Sequence, residues 1–548
     1  MKPQLLIRTI TIIVIVLLCA GIGVYSFWCL DREESLQDFN LYTLVPQDAV
    51  AVLETDYVER LIDDVEQLSC SKDGYYLYVS EIFMYLKNHL HALLDDTPHG
   101  LSTQMNRALI SFHAPDNPIN QVLYCGLGTE DYDLVGAFWD ECSLGPFPVK
   151  TFDYRRRKIY IYPMENGLFL SVFFTRHFMV AGFQKKLVEQ VIDTYLDKNN
   201  SLLEQPEFEL VYEDKQRRGS SAVLYANLNA VKMGAAFDTS QVCARLGNWC
   251  GFDLRLDGDV IYCAGMYNDT DSLSNTYMNA LRRQQALKGF PDAYLPTSTF
   301  YYHCWSASDK KAILRYADSL HYVPSFYGTN VEQWHKAYAD FWLDYGGESM
   351  ISAYFMSTDA ADKRPCSVLI SSLKNELSAE RQLRSLLYAI PYDKGLFPGG
   401  PSVQKYLYYS DSRRLRVYTL PENAMFTQLT GMAAEKGSYV VACFYQGCLL
   451  MASDLRALSA YITAVENEEQ ACIISKTEWL EALSSSYNSL IVMDMEKLSC
   501  QPIEYLRQIP AFFCEHAAFF KRFLITIQLT CTEGIVYPCL TMFYKGNI

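Results

Sequence analysis

The feature that most constrains the fold of this chain is that its second half repeats the first. The stretch LDGDVIYCAGMYND at 256–269 recurs as CTEGIVYPCLTMFYKG at 531–546. Earlier segments recur in the same order: RRRKIYIY at 155–162 resembles RRLRVYTL at 413–420, and SSAVLYANLNAVKM at 220–233 resembles YNSLIVMDMEKLSC at 487–500. A repeat this long is a duplicated domain, because solenoid units are far shorter.

Each copy contains several short strands with amphipathic helices between strand pairs. This succession lacks the regular alternation of strand and helix that a doubly wound sheet requires. We therefore predict an α+β protein with two similar domains, each built on a mixed or antiparallel sheet. The first domain is predicted over 45–288 and the second over 300–548, and the Gly- and Pro-containing stretch GFPDAYLPTST at 289–299 is the predicted linker.

The N-terminus carries an uncharged apolar run over residues 9–30, which is long enough for a helix to cross a bilayer. Lys2 and Arg8 precede the run and acidic residues follow it, so the positive-inside rule keeps residues 1–8 in the cytoplasm. We predict a single-pass membrane anchor, a juxtamembrane linker over 31–44 and export of the rest of the chain. A cleaved signal peptide is the alternative, although the run is longer than such segments usually are.

Overall charge argues against nucleic acid as a partner. The chain of 548 residues has a formal net charge of −16, so it has no general attraction for phosphate backbones. The predicted partners are the lipid bilayer, through residues 9–30, and an envelope protein or apolar ligand.

Catalytic and cofactor motifs are missing from the sequence. There is no nucleophile elbow, no HExxH pair, no phosphate loop and no dinucleotide-binding glycine motif. A Ser-x-x-Lys pattern occurs at Ser69, Ser308 and Ser371, but its repetition without companion motifs is what chance produces. We predict no catalytic residue, cofactor or metal site, and a non-enzymatic role is favoured.

The 17 cysteines do not form a recognisable site, because no Cys-x-x-Cys occurs. Cys125, Cys263, Cys443 and Cys539 stand in apolar strand-like segments, where cysteine packs as a small hydrophobe. Pairing of Cys443 with Cys448, or of Cys243 with Cys250, is the alternative in this extracytoplasmic setting.

Two segments are candidate partner-binding surfaces. The stretch SFYGTNVEQWHKAYADFWLDYGG at 325–347 carries more aromatic side chains than one helical face is expected to hide. Its candidate contact residues are as follows: Tyr327, Trp334, Tyr338, Phe341 and Trp342. The second candidate is the basic run Arg155, Arg156 and Arg157, for which a solvated hairpin end is the alternative.

The entry strand LVPQDAVAVLE, with Pro46, Asp48 and Ala49, resembles the start of the extracytoplasmic region in a family of uncharacterised single-anchor envelope proteins of Gram-negative bacteria. The resemblance implies a short cytoplasmic tail, one anchor helix in the inner membrane and a large periplasmic region. It carries over no catalytic residues.

Two functions follow as hypotheses. The first is a periplasmic protein that binds or scaffolds an envelope partner, a secreted client or an apolar ligand. The second is an anchored hydrolase of an envelope polymer with an unrecognised active site, which would require a tight cluster of perturbed titratable groups.

Overall fold

The computed structural model describes most of the chain after residue 38. The described residues are 39–75, 103–113, 117, 119–128, 135, 149–164, 167–213, 220–233, 246–267, 276–319, 329–357, 364–389, 405–410, 413–421, 440–466, 483–506 and 509–546. They fall into two compact units, one within 1–62 and 78–209 and the other within 63–77 and 210–548.

The described part of the first unit contains an antiparallel sheet of seven strands. Its strands are β1 (Ala49–Thr55), β2 (Ala108–His113), β3 (Gln121–Gly126), β4 (Lys150–Tyr154), β5 (Arg157–Pro163), β6 (Phe169–Phe174) and β7 (Phe178–Gly182). They pair in the order β4-β5-β6-β7-β3-β2-β1.

The second unit contains a longer antiparallel sheet. Strands in its described part are β8 (Ala222–Asn227), β9 (Trp249–Asp257), β10 (Val260–Met266), β11 (Leu287–Lys288), β12 (Thr299–Ser306), β13 (Gly346–Met356), β14 (Pro365–Leu373), β15 (Lys405–Ser410), β16 (Arg413–Thr419), β17 (Val441–Tyr445), β18 (Cys448–Ala452), β19 (Ser486–Tyr487), β20 (Ser489–Asp494), β21 (Phe523–Thr532) and β22 (Ile535–Tyr544). The order is β8-β9-β10-β22-β21-β20-β12-β13-β14-β18-β17-β16-β15, and β11 pairs separately with β19.

Helices connect and cover the strands. The α-helices are α1 (Val58–Gln67), α2 (Ser69–Lys72), α3 (Thr103–Asn106), α4 (Lys185–Leu196), α5 (Pro206–Glu213), α6 (Tyr277–Leu281), α7 (Lys310–Ser319), α8 (Thr329–Tyr345), α9 (Glu376–Ala389), α10 (Leu455–Glu466), α11 (Met495–Leu498), α12 (Ile503–Leu506), α13 (Ala511–Glu515) and α14 (Ala517–Phe520). Short 3-10 helices lie at Leu41–Leu44, Lys198–Asn200, Leu202–Glu204, Leu228–Ala230 and Asp292–Tyr294. The prediction of an α+β protein is therefore confirmed, and every strand pair in the two orders above is antiparallel.

Strand alternation divides the sheet of the second unit into two apolar faces. Tyr302 and Cys304 of β12 lie in one core cluster with the buried side of α10, whereas the neighbouring Trp305 lies in another with α8 and α9. Successive side chains of a strand point to opposite faces, so an almost continuously apolar strand supplies both clusters. Helices consequently cover both faces of this sheet.

In the first unit, α4 packs against β3, β6 and β7. Its buried apolar side chains are Leu187, Val188, Val191 and Ile192, which recur at helical spacing and form one apolar side. This contact leaves the polar side of α4 available to the neighbouring β4–β5 hairpin and to β1.

The two similar hairpins that the sequence predicted are β9–β10 and β21–β22, and they lie side by side. Strand β10 pairs antiparallel with β22, from Val260 opposite Phe543 to Ala264 opposite Cys539. The similar segments are thus joined edge to edge within the second unit.

The predicted linkers differ from the structure. Leu41, Tyr42 and Leu44 are buried, so these residues belong to the folded first unit and not to a juxtamembrane linker. Leu295, inside the predicted 289–299 linker, is buried in the core of the second unit. Among the described residues no helix has the length and hydropathy of a membrane span, and the predicted anchor at 9–30 lies outside them.

Candidate functional site

The aromatic segment of α8 is core, and the prediction that it presents a partner surface is wrong for four of its five residues. Trp334, Tyr338, Phe341 and Trp342 are each at most 3% exposed. Their spacing of four, seven and eight residues places them on one helical side, which packs against the sheet. The spacing itself was the missed signal. Tyr327 lies outside the described residues.

The basic run, in contrast, lies on the surface. Arg155 and Arg156 form the two-residue turn between β4 and β5, and Arg157 is the first residue of β5. All three side chains are exposed. The structure therefore retains this segment as a candidate binding surface, which we call the arginine turn (Arg155, Arg156 and Arg157).

The backbone of the arginine turn is unfavourable for arginine. Arg155 has φ 46° and Arg156 has φ 64°, which are the left-handed conformations that Asn and Gly adopt most easily. A side chain in this region costs about 1 kcal/mol or more relative to glycine. The comparable turns in the described residues each include a glycine, as in Gln446–Gly447 and Glu533–Gly534. The β4–β5 turn keeps two arginines where local stability favours other residues.

Contacts from α4 fix the position of the arginine turn. Asp193 forms an ion pair with Arg155, with Nε and Oδ1 3.0 Å apart, and its Oδ2 accepts a hydrogen bond from the hydroxyl of Tyr154 at 3.1 Å. The guanidinium of Arg157 lies 5.5 Å from the centre of the Tyr195 ring. Arg155 and Arg157 are thus anchored on the helix.

Arg156 is left as the outward charge of the turn, because it has no ion-pair or hydrogen-bond partner among the described residues. The hairpin 150–158 carries five basic side chains and one acidic side chain, although the whole chain is strongly acidic. Charge of this density on an exposed hairpin attracts a carboxylate-rich partner and improves the orientation of its approach.

Sequence reasoning missed a second arrangement in the first unit, a hydrogen-bonded chain that leads from Asp48 to the buried residues His113, Ser111 and Tyr124. Asp48 Oδ1 lies 3.1 Å from His113 Nδ1, Ser111 Oγ lies 2.8 Å from His113 Nε2, and the Tyr124 hydroxyl lies 3.0 Å from Ser111 Oγ. Ser111 and His113 are two residues apart on β2, so they share one face. The register of β1 with β2 brings the entry strand to them.

A neutral imidazole satisfies every member of this chain. Tyr124 donates to Ser111, Ser111 donates to His113 Nε2, and His113 donates from Nδ1 to Asp48. The hydrogen bond from His113 lowers the pKa of the Asp48 carboxyl, and burial raises the pKa of Tyr124 well above its usual value. Asp48 is half exposed and also lies 3.5 Å from Gln190 of α4.

The connectivity carboxylate–imidazole–hydroxyl is that of acyl-transfer triads. The nucleophile of such a triad must touch its substrate, however, and Ser111 is 0% exposed with Tyr124 against its oxygen. In this arrangement the hydrogen bonds satisfy polar groups inside the core, and the hydroxyl of Ser111 cannot attack an external carbonyl.

The second unit holds a different histidine cluster. His303 Nε2, the Tyr277 hydroxyl and Ser489 Oγ lie about 3 Å from one another. The ring of His303 contacts the ring of Trp305 at a tilt of 43°, with centroids 4.7 Å apart. Burial lowers the pKa of His303 to about 3, so the ring stays neutral at ordinary pH.

Other candidate chemistry is not assembled in the part of the chain that the structure describes. No group of His, Cys, Asp and Glu side chains there is suited to hold a metal ion. The described cysteines are unpaired, Cys443 and Cys448 included, and burial raises the pKa of these two thiols to about 12 and about 11. Cys243 lies outside the described residues.

Comparison of the chain with protein-family models, curated proteins and solved structures finds no match.

Proposed function

We propose that this chain is a non-enzymatic, membrane-anchored protein of the periplasm that binds an acidic envelope partner protein through the arginine turn. The observation that carries the proposal is the pair Arg155 and Arg156 in left-handed backbone at an exposed turn without glycine. Unfavourable backbone conformations concentrate at functional positions, where the stability that they cost is offset by what the side chains do. The anchor over residues 9–30 would hold this surface close to the membrane.

We also propose that the chain arose by duplication. The order β4-β5-β6-β7-β3-β2-β1 in the first unit matches β15-β16-β17-β18-β14-β13-β12 in the second. Each series also has a register shift near the start of its entry strand, between Ala49 and Ala51 and between Thr299 and Tyr301. Matching order and matching irregularity support a common origin.

The binding proposal is tested with poly-L-glutamate as a defined acidic probe and the full-length protein in detergent. Replacing Arg155 by Asn and Arg156 by Gly removes two charges and installs the residues that this turn prefers. We expect binding to weaken about tenfold, since an exposed charge contributes up to about 1 kcal/mol, while the hairpin becomes no less stable.

A matched control is Gln446→Asn, which improves the Gln446–Gly447 turn without changing charge and should leave binding unaltered. Poly-L-lysine should not bind at the turn. Failure of the unmodified protein to bind poly-L-glutamate, or equal binding by the Asn-Gly variant, would overturn the proposal.

A second candidate function, an anchored hydrolase, has one observation in its favour: the order Asp48, His113 and Ser111. Its test is covalent labelling with a fluorophosphonate probe, compared with Ser111→Ala. Labelling that disappears in the variant would favour the hydrolase. We expect no labelling, because Ser111 is completely buried.

A further inference from the structure

Strand β4 is a sheet edge beside the arginine turn, and its exposure is unusual for the first unit. Lys150, Thr151, Phe152 and Asp153 are all exposed, and Phe152 is 42% exposed. Among the described residues β4 pairs with β5 alone. An edge of this kind presents unpaired backbone donors and acceptors on which another strand can form.

The hairpin register identifies the outward backbone groups. Tyr154 and Arg157 flank the two-residue turn opposite each other, which is the position where both backbone hydrogen bonds are exchanged. Hydrogen-bonded and non-bonded pairs alternate along an antiparallel ladder, so Phe152 also bonds to β5. The N–H and C=O groups of Thr151 and Asp153 therefore point away from β5, toward the edge.

The charges around this edge determine which net charge an added strand should carry. Asp153, the one acidic side chain of β4, is opposite Lys158 of β5, so that cross-strand pair is neutral. Lys150 and the arginine turn leave the two ends of β4 positive. An extended segment with alternating acidic side chains would meet cations at both ends.

The side of β4 that carries Phe152 also contacts helix α4. Lys185 of α4 lies over the Phe152 ring, 3.7 Å from its centre, and forms an ion pair with Glu189 at 2.7 Å. This stacking holds an exposed aromatic ring in place beside the edge. Apolar side chains of an added strand could pack against that ring.

We infer that an extended acidic segment of the partner protein binds by adding as an antiparallel strand to the edge of β4 that faces away from β5, through the backbone groups of Thr151 and Asp153. The inference rests on the proposed function, since it specifies how the acidic partner is held. Main-chain hydrogen bonds supply affinity in this mode and the arginine turn supplies selectivity for acidic sequences.

The decisive variant is Thr151→Pro. Proline removes the outward N–H and blocks an added strand, but it keeps every charge and is tolerated on an edge where the N–H faces solvent. The probe is a short peptide that alternates glutamate with valine, measured against the full-length protein. We expect at least tenfold weaker binding by Thr151→Pro, and unchanged binding by Thr151→Val, which keeps the N–H.

Amide hydrogen exchange of the unmodified protein gives a second readout that needs no variant to fold. With peptide bound, exchange at Thr151 and Asp153 should slow at least tenfold, whereas Phe152, already bonded to β5, should change little. Equal peptide affinity in Thr151→Pro, or no slowing at Thr151 and Asp153, would overturn strand addition.

The two proposals fail separately. If poly-L-glutamate binding depends on the arginine turn but the amide exchange of β4 is unaffected, the acidic partner is bound by side chains alone. If neither acidic probe binds, both proposals are wrong.

Discussion

Two histidines, His113 on β2 of the first unit and His303 on β12 of the second, have contrasting hydrogen-bond partners. His113 in the first unit has a carboxylate, Asp48, beside its Nδ1, and the hydrogen bonds continue to Ser111 and Tyr124. Among the described residues, the hydrogen-bond partners of His303 in the second unit are the neutral hydroxyls of Tyr277 and Ser489. A buried imidazole without a carboxylate strongly resists protonation. The second unit therefore contains an acid-sensitive group at His303.

The hydrogen-bonded chain of the first unit is replaced by apolar side chains at the matching register positions of the second unit. By strand register, His113 opposite Ala49 corresponds to Phe355 opposite Thr299, and Ser111 corresponds to Ala353. Tyr124 corresponds in the same way to Ile370. Phe355, Ala353 and Ile370 are buried in an apolar cluster. The same strand order thus accommodates either a chain of hydrogen-bonded polar side chains or a close-packed apolar core.

The largest effect should come from truncating a large side chain in the apolar cluster of the second unit. We expect Phe355→Ala to lower the free energy of unfolding by about 3–5 kcal/mol, because the substitution leaves a cavity between the sheet and Tyr461 of α10. Hydrogen exchange of β12–β14 amides would measure the loss. Leu377→Ala, at a side chain 66% exposed, is the control and should change little. A loss below that of His113→Ala would contradict the comparison.

The second effect is acid sensitivity centred on His303. Its pKa is about 3 in the folded protein and about 6.5 when unfolded, so below pH 6.5 the unfolded chain takes up a proton that the native state excludes. Stability should fall by about 1.4 kcal/mol per pH unit from pH 6.5 toward pH 3. Unfolding of the second unit, followed by amide exchange across this range, would show the slope.

His303→Leu provides the matched variant, since Leu53 holds the corresponding register position in β1. Tyr277 and Ser489 keep their mutual hydrogen bond of 2.9 Å, so no polar group is orphaned. The pH slope should flatten in the variant. An unchanged slope would assign the acid sensitivity to other groups.

The sequence predicted the architecture better than the sites. The strands, the helices between them and the two similar hairpins follow from local patterns, which can be read within single segments of the sequence. The polar chain does not, because Asp48 meets His113 only through the pairing of β1 with β2. The prediction for the aromatic residues of α8 was wrong for a different reason. Their helical spacing already indicated a buried face, but the aromatic composition was given more weight than the periodicity. The arginine turn was found from charge, but its left-handed backbone required the structure.

The third prediction concerns a smaller loss, in the polar version of the core. His113→Ala should cost about 1–2 kcal/mol, less than a large apolar truncation, because Ser111 keeps its bond to Tyr124 and Asp48 keeps contact with water. Replacing Ser111, His113 and Tyr124 together by Ala, Phe and Ile should be close to neutral, since removing a whole network leaves no unpaired group. Exchange of β2 amides measures both. A triple variant less stable than His113→Ala would show that the two cores are not interchangeable.

The smallest effect should come from Asp48→Asn, and its pH dependence distinguishes a carboxylate contribution from simple packing. The folded pKa of Asp48 is lowered, chiefly by the hydrogen bond from His113, so its stabilising contribution is complete above the unfolded pKa of about 3.9. That contribution is lost as pH falls through the lowered folded pKa. Asp48 is half exposed, and solvent screening limits the effect to about 0.5 kcal/mol.

The difference in β2 amide protection between the native protein and Asp48→Asn should therefore be constant from pH 7 to pH 5 and disappear on further acidification. The second unit should already lose stability over the lower part of this interval, below pH 6.5, while the difference at Asp48 has not changed. If Asp48→Asn produced the same difference at pH 7 and below pH 3, the carboxylate charge would not be what distinguishes His113 from His303, and packing of the two rings would have to account for the contrast.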